Sequence, residues 1–238
     1  MKRIGLIGAM DVEVEIIQRE MEILRREVRA GLTFCVGTWQ GREIVVVRSG
    51  IGKVNAALCA QILADLYDVG LLINTGVAGG LAQGLHVGDL VVSSGAVQHD
   101  LDVTALGDPV GQVPNMDVLV FPADERLVKL AEETAAEVLP GVGMVPGIVC
   151  SGDQFIADAE KKQWLVETFD GACAEMEGAA VAHAAYVNGL PYLVLRGISD
   201  NADGSAGMSY EEFTKLAVVR ITDLVRALLA KIPEEWIA

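Results

Sequence analysis

The chain has 238 residues, of which 52% are hydrophobic and 21% charged, a composition typical of one compact domain with a large core. Its formal net charge is −15, from 18 basic and 33 acidic residues, which argues against nucleic-acid binding because DNA and RNA are polyanions. No apolar stretch is long enough for a membrane span or a secretory signal, so a soluble, cytoplasmic protein is expected.

Five elements are predicted before residue 71. They are a strand in KRIGLIGAM, a helix in DVEVEIIQREMEILRREV, two strands in LTFCVGTWQGREIVVVRSG and a helix in GKVNAALCAQILADLYDVG that Gly70 closes. The helical spacing of Val14, Ile17, Met21 and Leu24 supports the first helix. A Gln-Gly pair at 40–41 predicts the turn between the two strands.

Strands and helices continue to alternate after residue 70. The predicted strands are LLINTGVAGG, which runs into a glycine-rich turn, GDLVVSSGAVQ, MVPGIVCSG and LPYLVLRGISD. The predicted helices are ADERLVKLAEETAAEVL, DAEKKQWLVETF, most of AEMEGAAVAHAAY and SYEEFTKLAVVRITDLVRALLAKI. Residues 100–122 carry three prolines and no sustained period, which predicts a long functional or intersubunit loop. We therefore expect residues 1–238 to form a single three-layer α/β domain, a central mixed β-sheet flanked by helices.

Two groups of residues are expected to be structural. The basic cluster Arg25, Arg26 and Arg29 is interleaved with glutamates on a predicted helix, so it should be a solvated face. The four cysteines are scattered without CxxC spacing and lie in apolar runs, so they should be reduced thiols in the core.

Ligands of open α/β sheets bind at the C-terminal ends of strands, which makes the residues after each apolar run the informative ones. These positions hold several carboxylates and one arginine: Glu13, Asp153, Glu175, Glu177, Asp200, Asp203 and Arg196. The histidines lie far apart without an HExxH pattern and no serine has a GxSxG context, so metal-dependent hydrolysis and acyl transfer are weakly supported. Neither glycine loop matches a GxGxxG or Walker phosphate loop. Acid–base chemistry by carboxylates remains, and no metal site is predicted.

The segment AEMEGAAVAHAAY (174–186) places Glu175 and Glu177 two positions apart near the start of a predicted helix. Residues i and i+2 of a helix point about 200° apart, so the two carboxylates should not serve one surface. At most one of them should be an ordinary solvent-exposed surface charge.

Several motifs, taken together and in order, resemble the bacterial 5′-methylthioadenosine/S-adenosylhomocysteine nucleosidases of the nucleoside phosphorylase superfamily. The motifs are GAMDVEVE, SGIGKVNAA, INTGVAGGL, VGDLVVS, SGDQFI, EMEGAAVAH and RGISDNAD, and the resemblance runs from about residue 2 to about residue 230. It implies a nucleosidase-like fold and hydrolysis of the N-glycosidic bond of adenine nucleosides to adenine and a 5-thioribose product, without a cofactor. It also implies a role in methionine salvage, with 5′-deoxyadenosine as a further candidate substrate.

The resemblance also implies catalytic roles. Asp200 would be the general acid that protonates adenine N7, with Ser199 orienting it, although a turn or N-cap role would also suit an aspartate there. Glu13 would be the base that activates the attacking water, and Glu15 is its competitor. Arg196 would orient the same water or pair with Glu13, since a buried arginine without a carboxylate is costly.

For substrate binding, the resemblance implies that Glu177 accepts hydrogen bonds from the ribose 2′- and 3′-hydroxyls and that Met176 packs on the sugar. Glu175 would face elsewhere, so Glu175→Gln should change little. The remaining implied residues are an adenine pocket of Phe155, Ile156, Ala78 and Gly79, walls at Met10 and Ile51, and Tyr210 beside the 5′-thio group. Core packing is the alternative for each apolar residue.

A partner subunit would complete the 5′ pocket through the loop holding Val103, Leu106 and Pro114, so the resemblance implies a homodimer. Two departures leave the preferred 5′ group open. Val77 stands where relatives often carry serine, although its backbone could still contribute, and Leu106 replaces a more usual aromatic residue.

Other functions compete with this one. A nucleoside phosphorylase would use phosphate as the nucleophile, but GAMDVEVE supplies acidic residues that would repel it. A nucleosidase acting on futalosine-type nucleosides is not excluded by the motifs. A non-catalytic nucleoside-binding module or a dinucleotide-binding oxidoreductase built on GLIGAM would leave the strand-end carboxylates unexplained.

Overall fold

The computed structural model describes residues 2–202 and 210–237, without the side chains of residues 210 and 211. The described strands are β1 (Arg3–Gly8), β2 (Glu22–Arg29), β3 (Leu32–Trp39), β4 (Arg42–Arg48), β5 (Val69–Gly80), β6 (Leu90–Gln98), β7 (Phe121–Pro122), β8 (Met144–Ser151), β9 (Gly171–Glu175) and β10 (Tyr192–Asp200). The described α-helices are α1 (Asp11–Glu20), α2 (Lys53–Leu66), α3 (Glu125–Val138), α4 (Ala159–Phe169), α5 (Gly178–Val187) and α6 (Tyr210–Lys231).

These strands form one mixed sheet. Its order is β10-β6-β8-β9-β5-β1-β4-β3-β2, and β10 also pairs with β5, so five of the strands close a ring. The pairs β1–β4, β1–β5 and β5–β10 are parallel, whereas β5–β9 and β6–β10 are antiparallel. The predicted α/β domain with a central mixed sheet is confirmed, and the ring closure brings the ends of β5, β9 and β10 together.

Helices cover both faces of the sheet. The small, apolar residues of α2 and α5 pack in one core cluster, and the apolar stripes of α1, α3 and α6 pack in another. The central strands β1, β5 and β10 are buried almost throughout, since helices lie on both sides of them. This explains why their sequences are continuous apolar runs and lack an alternating pattern.

The long first helix predicted over residues 11–28 is wrong in its second half. Helix α1 ends at Glu20, and residues 22–29 form β2, an edge strand that pairs antiparallel with β3. Met21 is extended and buried, while Leu24 is 64% exposed. Backbone pairing with β3 decides this conformation, and such pairing outweighs the helix preference of a Glu- and Arg-rich segment.

The basic cluster therefore lies on this edge strand, where Arg25, Arg26 and Arg29 are exposed as expected. Arg25 Nε donates to Glu27 Oε1 at 2.6 Å. Charged side chains on an exposed edge discourage pairing with another chain.

Two further boundaries differ from the predictions. Helix α2 ends at Leu66, and Gly70 lies inside β5. The predicted glycine-rich turn at 76–80 is the continuation of β5, which pairs there with β10 and then with β9. The predicted loop at 100–122 has only a short 3₁₀ turn and the two-residue β7.

All four cysteines are buried and none forms a disulfide. Among the helices in the described ranges, none combines the length and apolar character needed to cross a membrane.

Candidate active site

An open cleft with a volume of about 120 Å³ lies at the C-terminal ends of β1, β5, β9 and β10. It brings together eleven of the residues that the sequence predicted: Met10, Glu13, Ile51, Ala78, Gly79, Phe155, Ile156, Met176, Glu177, Ser199 and Asp200. Ala9, Val77, Gln154, Ala174 and Glu175 also line it.

Four other predicted residues do not line the cleft. Arg196 is fully buried behind the cleft wall. The loop residues Val103, Leu106 and Pro114 do not line the cleft of their own chain, and Leu106 is 81% exposed. The side chain of Tyr210 lies outside the described residues.

Glu13 is held by backbone amides. Its Oε2 accepts from the N–H groups of Ala9 and Met10 at 2.7 and 2.9 Å, and its Oε1 accepts from Val77 N–H at 3.1 Å. Burial raises the pKa of Glu13, while the charge of Arg196 and these hydrogen bonds oppose the shift. Glu15, the competitor on the same helix, is exposed. The cleft therefore presents one fixed carboxylate from α1.

Asp200 is the last residue of β10 and is buried. Ser199 Oγ donates to its Oδ2 at 2.9 Å, and Ala202 N–H donates to its Oδ1 at 2.8 Å. The bond to Ala202 is the local turn interaction that an aspartate two residues upstream offers. Asp200 thus stabilises the turn and also lines the cleft, so the two alternatives for this residue are compatible.

Glu177 is the N-cap residue of α5 and is 7% exposed. Its Oε1 accepts from Gly52 N–H at 2.8 Å, so it joins α5 to the segment that precedes α2. Burial and then the nearby charge of Glu175 raise the pKa of Glu177 to about 7, against the lowering effect of Arg196.

The expected pairing of Arg196 with Glu13 and the expected direction of Glu175 are wrong. Glu175 ends β9 and precedes α5, so helical spacing does not separate it from Glu177, and both carboxylates line the cleft. Arg196 Nε donates to Glu175 Oε2 at 3.1 Å, and its Nη2 donates to the same oxygen and to Asn74 Oδ1. Arg196 therefore pairs with Glu175, whereas Glu13 experiences only its charge.

Glu175 has further donors. It accepts from Ser151 Oγ, from Glu177 N–H at 3.2 Å and from Gly178 N–H at 2.8 Å. Burial alone would lower the pKa of Arg196, but the surrounding carboxylates raise it, so the guanidinium remains charged. Sequence reasoning missed this pair because it rests on the spatial approach of β9 to β10.

The described residues hold no group of three or more His, Cys, Asp or Glu side chains placed to bind a metal ion.

The chain matches the family model of the phosphorylase superfamily over residues 3–230. It is 40% identical over 231 residues to a 5′-methylthioadenosine/S-adenosylhomocysteine nucleosidase of Bacillus licheniformis, covering 97% of this chain and 99% of the relative. It is 41% identical over 232 residues to the nucleosidase of the same name from Actinobacillus succinogenes, with the same two coverages. The chain belongs to this nucleosidase family of the phosphorylase superfamily. The family and the enzyme class expected from the sequence are confirmed.

Solved structures agree with this assignment. The nucleosidase of Neisseria meningitidis, in complex with methylthio-immucillin-A, superposes with a TM-score of 0.93 at 33% identity, over 98% of this chain and all of that one. Futalosine hydrolase of Helicobacter pylori superposes with a TM-score of 0.91 at 34% identity, over 97% of this chain and 98% of that one. The fold is therefore shared by nucleosidases with different named substrates.

The buried ion pair generates a stability prediction for this nucleosidase. Glu175→Gln should lower the free energy of unfolding by about 3 kcal/mol or more, because Arg196 is left charged in the interior without an anionic partner. Urea denaturation would measure the change. The control is Glu133→Gln, which removes an exposed partner 3.9 Å from Lys129 and should cost at most about 0.5 kcal/mol. Equal losses in the two variants would contradict the assigned role of Glu175.

Proposed function

We propose that the chain hydrolyses the N-glycosidic bond of 5′-methylthioadenosine and S-adenosylhomocysteine, with 5′-deoxyadenosine as a further candidate substrate. The observation that carries this proposal is that Glu13, Glu177 and Asp200, three buried carboxylates on separate elements, line one cleft. The names of the relatives support the substrate class, and a related nucleosidase from Colwellia psychrerythraea was solved with adenine bound.

Asp200 would act as the general acid. An adenine anion is a poor leaving group, so a carboxyl that gives its proton to N7 as the C–N bond lengthens accelerates bond cleavage by about 10²–10⁴-fold. The hydrogen bonds from Ser199 Oγ and Ala202 N–H fix the carboxyl orientation before the purine binds. The side chain of Asp200 then needs no change of rotamer after the substrate binds.

Glu13 would act as the base. Each of its oxygens accepts backbone N–H groups, which holds the carboxylate still, and its raised pKa makes it a stronger acceptor of the proton lost by water. Val77 contributes its N–H group here, so the serine hydroxyl of relatives is not needed to hold this carboxylate.

Glu177 would bind the ribose. The remaining lone pairs of its carboxylate would accept from the 2′- and 3′-hydroxyls, with Met176 packed on the sugar. Its negative charge would stabilise the ribosyl cation more strongly as positive charge develops in the transition state. The burial of the Glu177 carboxylate, which raises its pKa, would thus serve catalysis.

The other lining residues would hold the adenine base and the 5′ group. Phe155 would stack on the purine, which suits an aromatic side chain that lines the cleft and is 63% exposed. The backbone of Ile156 would bond the base, with Ala78 and Gly79 on its other side. Met10 and Ile51 would be walls, and Tyr210 would contact the 5′-thio group.

Water is favoured over phosphate as the nucleophile by the charges of the cleft. Its described lining contains four carboxylates and no lysine or arginine, and Arg196 is occupied by Glu175 behind the wall. A phosphate dianion would need cationic or backbone donors that are not already used by carboxylates.

We also propose a homodimer in which Val103, Leu106 and Pro114 of one copy complete the 5′ pocket of the other. The supporting observation is an apolar face on α2 and α5, where Val54, Leu58 and Val187 are 70%, 52% and 59% exposed. Exposed apolar patches of this kind mark interaction surfaces.

The proposed reaction predicts release of adenine from 5′-methylthioadenosine at equal rates in phosphate-free buffer and in phosphate. Chromatography of released adenine would measure this, with S-adenosylhomocysteine, 5′-deoxyadenosine and a futalosine-type nucleoside assayed in parallel. Strict dependence on phosphate would show that the enzyme is a phosphorylase. Preference for the futalosine-type nucleoside would show that this nucleoside is the substrate. Binding without turnover would show that the protein is a nucleoside-binding module.

The acid and base roles predict that Asp200→Asn and Glu13→Gln each lower kcat by about 10²-fold or more, because neither amide can transfer a proton at neutral pH. Circular dichroism and the melting temperature would check that the variants fold. Glu15→Gln, an exposed change on the same helix as Glu13, is the matched control and should retain kcat. Near-normal turnover by Asp200→Asn would remove the proposed acid.

The proposed dimer predicts that Leu58→Glu, which places a charge on the apolar face, gives a particle of half the mass in sedimentation experiments. Leu24→Glu is the control, because Leu24 is equally apolar and 64% exposed but lies on edge strand β2. A monomeric wild type, or a Leu58→Glu variant that still dimerises, would show that this face is not the interface.

A further inference from the structure

Three polar residues outside the cleft form a closed ring of hydrogen bonds. Lys53 Nζ donates to Asp100 Oδ1 at 2.5 Å, Asp153 N–H donates to Asp100 Oδ2 at 2.8 Å, and Lys53 N–H donates to Asp153 Oδ1 at 2.8 Å. The Lys53 and Asp100 side chains are only 16% and 14% exposed. Their ion pair is therefore less screened by solvent than a surface pair.

The ring joins two walls of the cleft. Lys53 directly follows Ile51 and Gly52, of which Ile51 lines the cleft and Gly52 donates to Glu177. Asp153 directly precedes residues 154–156, all three of which line the cleft. None of the three ring residues lines the cleft itself.

Close backbone approach supports the same connection. Gly52 has φ +98°, and a Cβ there would lie 3.0 Å from Asp153 Oδ1. A Cβ on Gly152 would lie 2.3 Å from Nε2 of the buried His99 ring, which precedes Asp100. The motifs SGIGK and SGD therefore need glycine at these positions, because there the two walls approach each other and also approach the segment 98–100.

Asp100 carries the charge that holds the ring. Burial by itself raises the pKa of Asp100, but the hydrogen bonds from Lys53 Nζ and Asp153 N–H and the charge of Lys53 outweigh it, so the net pKa is lowered. Each carboxylate oxygen of Asp100 accepts a hydrogen bond from a different wall. An amide at this position has a single acceptor oxygen and no charge, so it could not reproduce both hydrogen bonds.

We infer that Lys53, Asp100 and Asp153 are positioning residues that lock the 154–156 loop against the 51–52 wall and thereby set the affinity of the cleft for its purine ligand. The purine as ligand rests on the proposed function; the locking of the two walls does not. Loss of the lock should weaken ground state and transition state alike, so KM should rise with little change in kcat.

The test uses Lys53→Met and Asp100→Asn in the full chain, with Lys53→Arg as the conservative variant. Glu20→Gln is the control, because it breaks an ion pair with Arg226 at the C-terminal end of α1, away from the ring. Hydrogen–deuterium exchange of the unliganded protein over residues 49–56 and 150–158 is the first readout. Steady-state kinetics with 5′-methylthioadenosine is the second, and melting temperature and particle mass are measured for every variant.

We expect faster exchange in both segments of Lys53→Met and Asp100→Asn, with KM about tenfold higher and kcat within about twofold, on the scale of one lost charge-assisted bond. Lys53→Arg should recover part of the affinity, and the double variant Lys53→Met/Asp100→Asn should be no worse than the poorer single variant, because the residues act as a unit. Glu20→Gln should change neither readout.

Unchanged exchange in both segments would overturn the lock. Faster exchange with an unchanged KM, or a fall in kcat alone, would overturn its role in affinity. If the wild type released no adenine, the proposed function would fail, whereas the exchange measurements would still uphold or refute the lock between the two walls.

Discussion

The ion pair between Arg196 and Glu175 is the interaction on which the rest of the site depends. Both side chains are at most 3% exposed, so each charge is tolerable only because of the other. Glu175 also accepts from the N–H groups of Glu177 and Gly178, which begin α5. Through these bonds a single buried cation fixes the end of β9 and the start of α5, including the backbone of Glu177.

The same pair sets the electrostatics of the cleft. One guanidinium lies near three carboxylates, of which only Glu175 accepts hydrogen bonds from it, so Glu13 and Glu177 are stabilised by its charge at longer range and by backbone donors. Burial then raises the pKa of both. Gly76 contributes to this arrangement, because a Cβ there would lie 2.5 Å from Glu13 Oε1. Gly76, inside β5, thus serves close packing around a carboxylate and does not form a phosphate cradle.

Local pattern predicted most of the fold and the carboxylates of the cleft, because buried apolar runs and the carboxylates that follow them are properties of short segments. The other cleft residues were implied by the resemblance to the nucleosidases. Local pattern failed where distant pairing decides. Residues 22–29 have helix-forming side chains but pair with β3, and Glu175 was assigned to a helix although it ends a strand. The partner of Arg196 lies 21 positions away on a strand that does not pair with β10, so no periodicity in the sequence could reveal it.

The buried pair also bears on how one fold supports different nucleophiles. An arginine that faced the cleft would attract an anion, and phosphate could then attack the sugar. Here Glu175 neutralises the arginine, which lies behind the lining, and the remaining carboxylates leave the cleft negative. In the proposed reaction a neutral water molecule would be the nucleophile that such a field tolerates, and Glu13 would accept its proton. The proposed preference for hydrolysis over phosphorolysis would then follow from where one positive charge is buried.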